Sequence, residues 1–265
     1  MSLGFSVDAL LPKARMGGKL KMGLVRIDDE QWLQPAPDLT ARRRAFAEWP
    51  EAIQLANDAA AGAAGMELAK LLGVEGALAE AAQTAHEDMC LLTRADGEDV
   101  YRLIGAAVAW PTDWQPKEKI GLPLRALHAP IAGYEAQLAT GVDRFMDTLK
   151  PGPIYGRCNW FIAPTGERRW LTAGKPGEQF AHVTRQNAGE TLFVRSERQT
   201  LRRLPETSAI LFTIGIYVEP LGALRPHNIA SLAQAARTLL AGEGDRRGAP
   251  AYADSLIAFA KDSLG

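Results

Sequence analysis

The sequence predicts an α+β fold that is organised around an antiparallel sheet. Helical and extended segments occur in separate blocks along the chain, whereas doubly wound α/β proteins alternate them. Two extended segments joined by a short turn precede a long connection, and three further extended segments follow it. Short turns favour antiparallel pairing, because parallel strands need a long crossover. We therefore expect one sheet of five strands with helices crossing it.

Length, composition and charge restrict the class of protein. The 265 residues carry a formal net charge of −1, and 47% of them are hydrophobic, so the chain can bury a sizeable core. The charge lacks the strongly basic balance that is typical of nucleic-acid-binding proteins, and the best apolar stretch, 209–218, is too short to span a membrane. Cys90 and Cys158 show no metal-binding spacing. We expect a soluble cytoplasmic protein with neither a nucleic-acid nor a membrane partner.

The N-terminal part, 1–87, is predicted to be an arm followed by helices that pack on the core. Asp38 or Thr40 can cap a helix over 40–49, and Pro50 suits the first turn of the next one. The predicted elements are a strand over 19–27 and helices over 40–49, 50–72 and 75–85.

The region 88–220 is predicted to form the sheet. Its five extended segments are 88–94, 100–109, 154–163, 191–198 and 208–219. An Asp-Gly signal at 95–98 predicts a hairpin turn between the first two. The last segment is the most apolar, which predicts a central position in the sheet. The connection 110–152 ends in an amphipathic helix over 134–149.

The complete order of elements narrows the fold further. A hairpin, a helical crossing and three consecutive strands predict a PAS-like five-stranded antiparallel sheet with crossing helices, in which sheet and helices enclose a ligand. The C-terminal part, 221–265, adds two predicted helices, 228–241 and 251–263. The three parts are expected to form one compact unit.

One histidine has an apolar setting. His128 lies within 123–134 (PLRALHAPIAGY), among leucine and isoleucine residues. A neutral imidazole is the commonest nitrogen ligand for metals, and one proximal histidine suffices for haem. On this context alone, however, a core histidine bonded to a backbone carbonyl is the preferred interpretation. The remaining histidines are interpreted as a helix cap, a surface residue and a structural residue: His86, His182 and His227.

Several other reaction classes lack their usual sequence motifs. The chain contains no HExxH or HxH pattern, which would indicate a histidine-ligated metal. It also lacks the GxSxG, GxGxxG and GxxxxGK[ST] motifs. Hydrolase, dinucleotide-binding and kinase-like functions are therefore not indicated.

Five short motifs occur in order along the chain. They are 87–92 (EDMCLL), Trp110-Pro111 and Trp114 ahead of 119–121 (KIG), 127–134 (LHAPIAGY), 157–160 (RCNW) and 195–205 (RSERQTLRRLP). Together they resemble the haem-dependent oxidative N-demethylase alpha-subunit family over roughly 39–221. The family often has a more valine- and proline-rich version of the histidine motif. The departure leaves His128 in place.

The resemblance implies a PAS-like fold, an activity and a cofactor. The implied reaction is monooxygenase-type oxidation of a small secondary amine with dioxygen, which releases formaldehyde. The implied cofactor is haem b, whose iron would be ligated by His128, the one histidine that matches the family motif. The chain carries no flavin, nicotinamide or iron–sulfur signature. The resemblance therefore implies a separate flavin and iron–sulfur reductase as electron source, and a hetero-oligomer.

The strand 154–163 supplies two further candidates. Alternation places Arg157 and Asn159 on one face of this strand. Arg157 is predicted to bind a haem propionate with both arms of its guanidinium. Asn159 is predicted to contact the substrate or oxygen.

The next two strands supply the remaining candidates, each with an alternative. Glu197 is either a buried acceptor for the amine or part of a structural ion network with the arginines at 195, 202 and 203. Arg198 points away from Glu197 and is a further candidate for binding the cofactor. Gly215 would let a flat cofactor approach the backbone, or it would mark a β-bulge.

Two other functions remain open from the sequence. The first is a PAS-type haem sensor or ligand-binding protein without turnover, although no output domain is recognised in the 265 residues. The second is a haem-free structural subunit that has the same fold.

Overall fold

The strands of the sheet come from different parts of the chain, and all neighbouring strands are antiparallel. A computed structural model describes residues 2–16, 19–95, 97–239 and 243–264. Its strands are β1 (Val25–Ile27), β2 (Ile53–Leu55), β3 (Asp88–Thr93), β4 (Arg102–Ala107), β5 (Ile154–Ala163), β6 (Phe193–Arg203) and β7 (Ile210–Pro220). They form one seven-stranded sheet in the order β1-β5-β6-β7-β3-β4-β2. The α+β prediction is confirmed, and the prediction of five strands is wrong.

The five predicted strands occupy the middle of the sheet, and β7 lies at its centre as expected. The additional strands β1 and β2 come from the N-terminal part and form the two edges. The sequence pattern predicts a helix over 53–55. These residues instead pair with β4, with Ile53 opposite Ala107. A three-residue edge strand is held by its neighbouring strand and is too short to show an alternating pattern in the sequence. Asp96 of the predicted hairpin turn lies outside the described residues.

The helices are mostly short and surround the sheet. They are α1 (Val7–Leu10), α2 (Thr40–Glu48), α3 (Ala59–Leu71), α4 (Leu78–Ala81), α5 (Leu124–Leu127), α6 (Thr140–Thr148), α7 (Ala188–Thr191), α8 (Pro226–Arg237), α9 (Glu243–Arg246) and α10 (Ala249–Leu264). A π-helical turn, Glu135–Ala139, directly precedes α6. None of the described helices is long and apolar enough to cross a lipid bilayer.

The two faces of the sheet are covered by different parts of the chain. The connection between β4 and β5 covers the face that carries Arg157, where Leu124 and Met146 pack with Leu201; we call this the Arg157 face. The N-terminal residues cover the opposite face. There the guanidinium of Arg198 lies 4.4 Å from the ring centroid of Phe5. Another part of the N-terminal arm reaches the connection, because the Leu20 N–H donates to Oε1 of Gln137 at 2.9 Å and Leu24 packs on the cluster of the Arg157 face.

A buried ion pair ties α2 to the start of β3. Arg42 Nη1 lies 2.8 Å from Asp88 Oδ1. Arg42 also donates to the carbonyls of Ala82 and His86. Asp88 in turn accepts from the backbone N–H groups of residues 109 and 110. Because both charges are paired and hydrogen-bonded, they can be buried without a large penalty, and they fix the point where the connection leaves the sheet.

Candidate functional site

His128 ends the short helix α5 at the edge of the Arg157 face. Pro123 has extended backbone dihedrals and precedes the helix, which is a single turn long. His128 Nδ1 lies 2.8 Å from the Leu124 carbonyl oxygen. Since a carbonyl can only accept, Nδ1 carries the proton and donates, and Nε2 retains its lone pair. No described residue bonds to Nε2.

The two interpretations of His128 are therefore compatible. The hydrogen bond to a backbone carbonyl, expected for a core histidine, is made by one ring nitrogen. The same bond fixes the tautomer in which the other nitrogen can bind a metal. Burial lowers the pKa of His128, so the imidazole stays neutral at physiological pH. A neutral ring with an unpaired Nε2 is the state that a haem iron requires.

An aromatic stack fixes the plane of the imidazole. The ring of Tyr134 lies parallel to that of His128, with 4.4 Å between centroids and 7° between planes. Gly133 has a positive φ of 79° and turns the chain back, so that a residue six positions further on meets the histidine. The sequence analysis did not single out Tyr134. The sequence signal for its contact with His128 is its position at the end of the histidine motif, directly after a glycine.

Arg157 and Asn159 lie on the face of β5 that the connection covers. Buried and half-buried residues alternate along β5, and Arg157 and Asn159 are both half-buried. Neither side chain makes a hydrogen bond or ion pair to another described residue. Burial lowers the pKa of Arg157, and the Glu197 carboxylate acts in the opposite direction. Arg157 is thus a partly exposed cation whose guanidinium no described residue engages, and a guanidinium suits an anionic group.

The charge of Arg157 acts on His128. Arg157 is among the charges that lower the pKa of His128, after burial itself. These two side chains are the ones that the sequence predicts for the iron ligand and for one propionate. Their assigned roles remain predictions.

Glu197 shares the Arg157 face but is already engaged. The register pairs it with Asn159 across β5 and β6. Its Oε1 accepts from the Thr112 hydroxyl at 2.6 Å, and its Oε2 accepts from the Gln199 amide at 2.8 Å. Arg195 donates to the same hydroxyl of Thr112. This arrangement favours the structural alternative for Glu197, although the network consists of hydrogen bonds and not of direct ion pairs with arginine.

Arg198 and Gly215 lie on the opposite face from Arg157. They pair with each other across β6 and β7, and Arg198 pairs with Cys158 of β5. Arg198 donates to the carbonyls of Gln31 and Trp32 in the N-terminal arm. The structure therefore does not bring Arg198 together with His128, and a ligand on the Arg157 face would not reach it.

The space beside Gly215 is filled by the protein itself. A Cβ atom at this position would lie 3.2 Å from Cε2 of Tyr217 and 3.5 Å from Cγ of Glu87. The pairing of β6 with β7 runs without a shift of register through Gly215, so the glycine does not mark a bulge. It accommodates the Tyr217 ring. The predicted contact with a flat cofactor has no open space here.

The other three histidines lie outside the segment 123–134 that carries His128. His86 is buried, and its Nε2 lies 3.0 Å from the Ile216 carbonyl oxygen; it does not cap a helix, because α4 ends at Ala81. His182 is exposed, as predicted. His227 lies in the first turn of α8. Among the described residues, no three His, Cys, Asp or Glu side chains form a cluster suited to a metal ion. A haem needs only one such ligand.

Comparison with protein-family models gives a match to the family described as "Haem-dependent oxidative N-demethylase, alpha subunit-like", over residues 47–257. The match covers most of the chain. The chain belongs to this family. As a member of the N-demethylase alpha-subunit-like family, the protein is expected to depend on haem. The family name also indicates an assembly of several subunits.

The donor set on the Arg157 face fits a haem. His128 offers one imidazole nitrogen, and Arg157 offers a half-buried cation, to which nothing in the described part of the chain is hydrogen-bonded. Iron coordination and propionate binding require these two kinds of group. The fit rests on the chemistry of these two groups and not on the family name.

Proposed function

We propose that this protein is a haem-dependent oxygenase that removes a methyl group from a small secondary amine as formaldehyde. The observation that carries the proposal is that no described residue bonds to Nε2 of His128 or to the guanidinium of Arg157, whose charge acts on His128. We further propose that β3–β7 form a PAS-like core. Its support is the spatial order of the five predicted strands, in which the second, first, fifth, fourth and third are neighbours.

The residues of the chain have distinct roles in this proposal. His128 binds the iron of haem b through Nε2, and the Leu124 carbonyl holds its tautomer. Arg157 binds a propionate. Asn159, whose side-chain amide has no described partner, contacts the amine or dioxygen. Glu197 holds Thr112 and Gln199 in place and contributes negative potential that attracts a cationic amine. Arg198 and Gly215 have no role in this site.

Haem supplies the oxygen-dependent oxidation when it is bound. The overall reaction consumes one dioxygen, two electrons and two protons. One oxygen atom leaves as water, and the other leaves in formaldehyde together with the former methyl carbon. We propose that the electrons come from a separate reductase that contains flavin and an iron–sulfur centre, in a hetero-oligomeric assembly.

Spectroscopy of the haem-loaded protein tests the iron ligand. Reconstitution with one equivalent of haem b should give a Soret band and, in the ferrous state, a histidine-ligated spectrum. His128→Gly should lose the histidine signature and regain it on addition of imidazole. His182→Gly, which changes an exposed histidine, serves as the matched control. An unchanged spectrum in His128→Gly would refute the axial assignment.

Turnover of dimethylamine tests the reaction. The haem-loaded protein, supplied with dioxygen and an artificial reductase system, should release formaldehyde and methylamine in equal amounts. Stoichiometric haem without formaldehyde from any small methylamine would favour the sensor function. Failure to bind haem would favour the structural subunit.

A further inference from the structure

A cavity of about 50 Å³ lies at one end of the Arg157 face. This space is large enough for a few water molecules or for part of a small organic ligand. Its walls come from segments that are remote in sequence: the connection after β4, the end of β5, the loop between β5 and β6, and the end of α9. Phe161 places the cavity on the Arg157 face, since it follows Asn159 by two residues in the alternation of β5.

Backbone contacts hold two of these walls together. Thr112 forms a bridge with Trp170, and the N–H of Asp113 donates to the Trp170 carbonyl at 2.8 Å. Asp113 has a positive φ of 61°, which is uncommon for a residue other than glycine. In this conformation its Oδ1 accepts from the Thr172 N–H at 2.9 Å. The loop between β5 and β6 is therefore fixed against the connection before any ligand arrives.

Two neutral donors line the cavity. Trp170 Nε1 donates to Oε1 of Gln179 at 3.1 Å, so the amide nitrogen of Gln179 remains as a donor. No described residue accepts from that nitrogen, and none bonds to the hydroxyl of Thr172. Both side chains belong to the wall.

A guanidinium held by aromatic rings adds a charged donor. The Cζ atom of Arg247 lies 4.6 Å from the ring centroid of Phe161 and 5.4 Å from that of Trp160, and its Nη1 donates to the Trp160 carbonyl at 2.8 Å. Stacking uses the face of a guanidinium, whereas hydrogen bonds use its edge. Arg246 lines the same cavity. Asp113 is the only acidic residue in the described wall, so the charges there sum to +1.

We propose that this cavity binds the carboxylate of a small organic acid. A guanidinium with an amide and a hydroxyl beside it suits a carboxylate, which accepts several hydrogen bonds at once. A net charge of +1 matches a monoanion, whereas a phosphate monoester carries about −1.5 to −2 at pH 7. Phe161 and Trp170 supply apolar surface for the rest of the acid. The site uses neither His128 nor Arg157 and extends beyond the proposed haem chemistry.

Benzoate and benzamide provide a matched pair of probes, because they share the ring and differ in charge. In saturation-transfer difference NMR of the full chain, benzoate should give a saturable signal, and benzamide at the same concentration should give none. Arg247→Gln should weaken benzoate binding at least about tenfold, the typical effect of losing a hydrogen bond to a charged group. Arg185→Gln, at an exposed arginine that pairs with Asp262, should bind benzoate as wild type does.

Thr172→Val is a second variant with little effect on folding, because it removes the hydroxyl and keeps the shape of the side chain. It should weaken benzoate binding by about three- to tenfold. Thermal unfolding shows whether each variant is folded. If Arg247→Gln fails to fold, the result for Thr172→Val decides.

Four outcomes would overturn the inference. They are equal binding of benzamide and benzoate, unchanged benzoate binding in both Arg247→Gln and Thr172→Val, displacement of benzoate by an equal concentration of inorganic phosphate, and a loss of binding in Arg157→Gln that Arg247→Gln does not share. The last would place the carboxylate in the site proposed for the haem propionate. His128→Gly should bind benzoate as wild type does, so this site and the iron ligand are tested separately.

Discussion

Arg42 and Asp88 form an ion pair of 2.8 Å in which neither side chain is more than 2% exposed. Removal of one partner leaves a buried charge without compensation, which typically costs about 3–5 kcal/mol. We expect Arg42→Met to lower the free energy of unfolding by this amount in urea denaturation.

The exposed pair Lys70–Glu206 provides the control for this effect. Its side chains are 74% and 60% exposed, so Lys70→Met should cost less than about 1 kcal/mol. Arg42→Met with Asp88→Leu should be less harmful than Arg42→Met alone, because no unpaired charge remains. Equal losses for Arg42→Met and Lys70→Met would contradict the assigned role of the buried pair.

His86 should make the protein less stable in mild acid. Burial lowers its pKa from 6.5 to about 4. Between these two values the unfolded chain binds a proton and the native protein does not, so the free energy of unfolding falls as the pH falls from 6.5 towards 4. The shift corresponds to about 3 kcal/mol. Unfolding of wild type and His86→Gln in urea across this range should show a shallower pH dependence for the variant.

Glu87 is the neighbouring group that acts in the opposite direction. Burial raises its pKa, so proton uptake by the native protein offsets part of the loss as the pH falls. The comparison of His86→Gln with wild type removes this shared contribution. His182→Gln, at an exposed position, should retain the slope of wild type, and a parallel pH dependence of His86→Gln and wild type would contradict the prediction.

Replacement by alanine should have opposite effects on the stability of the protein at Gly215 and at Gly141. At Gly215 the added methyl group would crowd Tyr217 and Glu87, and overpacking of this kind costs roughly 1–3 kcal/mol. At Gly141, in α6, no atom lies within 4 Å of the new Cβ, so Gly141→Ala should stabilise the protein by about 0.5–1 kcal/mol. Differential scanning calorimetry of both variants measures the contrast. A stabilising Gly215→Ala would show that this position has free space after all.

The stack between Tyr134 and His128 should be visible in the haem spectrum. Tyr134→Leu removes the ring, and with it an aromatic contact that contributes about 1 kcal/mol. The imidazole can then rotate about its bond to Cβ. Electron paramagnetic resonance of the ferric protein should show a broader spread of g values in Tyr134→Leu than in wild type. Tyr134→Phe should restore the narrow spectrum, and identical spectra for all three proteins would exclude an orienting role.

The sequence allowed the five central strands of the sheet to be predicted. Strand β5 is found at its predicted bounds, because ten residues of regular alternation are a strong signal. The segment 53–55 was misassigned because three residues carry no readable period, and their strand exists only through pairing with β4. Edge strands of this length are therefore determined by tertiary contacts.

The side chains that share a face of the sheet were harder to predict than the strands. Alternation within β5 correctly separates Arg157 from Cys158. Which residues of β5 and β6 share a face depends on the register of their pairing. The sequence of the connection 164–192 does not reveal that register. Only the structure shows that Arg198 pairs with Cys158 and so faces the N-terminal arm. Tyr134 was missed for a related reason, since its contact with His128 arises from a turn at Gly133 and not from a helical repeat.

The placement of β1 and β2 at the sheet edges has a consequence for synthesis of the chain. On the ribosome, residues 25–27 emerge long before β5, their partner at 154–163, has been translated. They cannot pair until that later segment is available, whereas the hairpin of β6 and β7 can close as soon as both strands have emerged. The arm that carries β1 is thus synthesised before its partner strand and can dock only after that strand has been made. Until the arm docks, its apolar residues that later cover the sheet are exposed and accessible to chaperones.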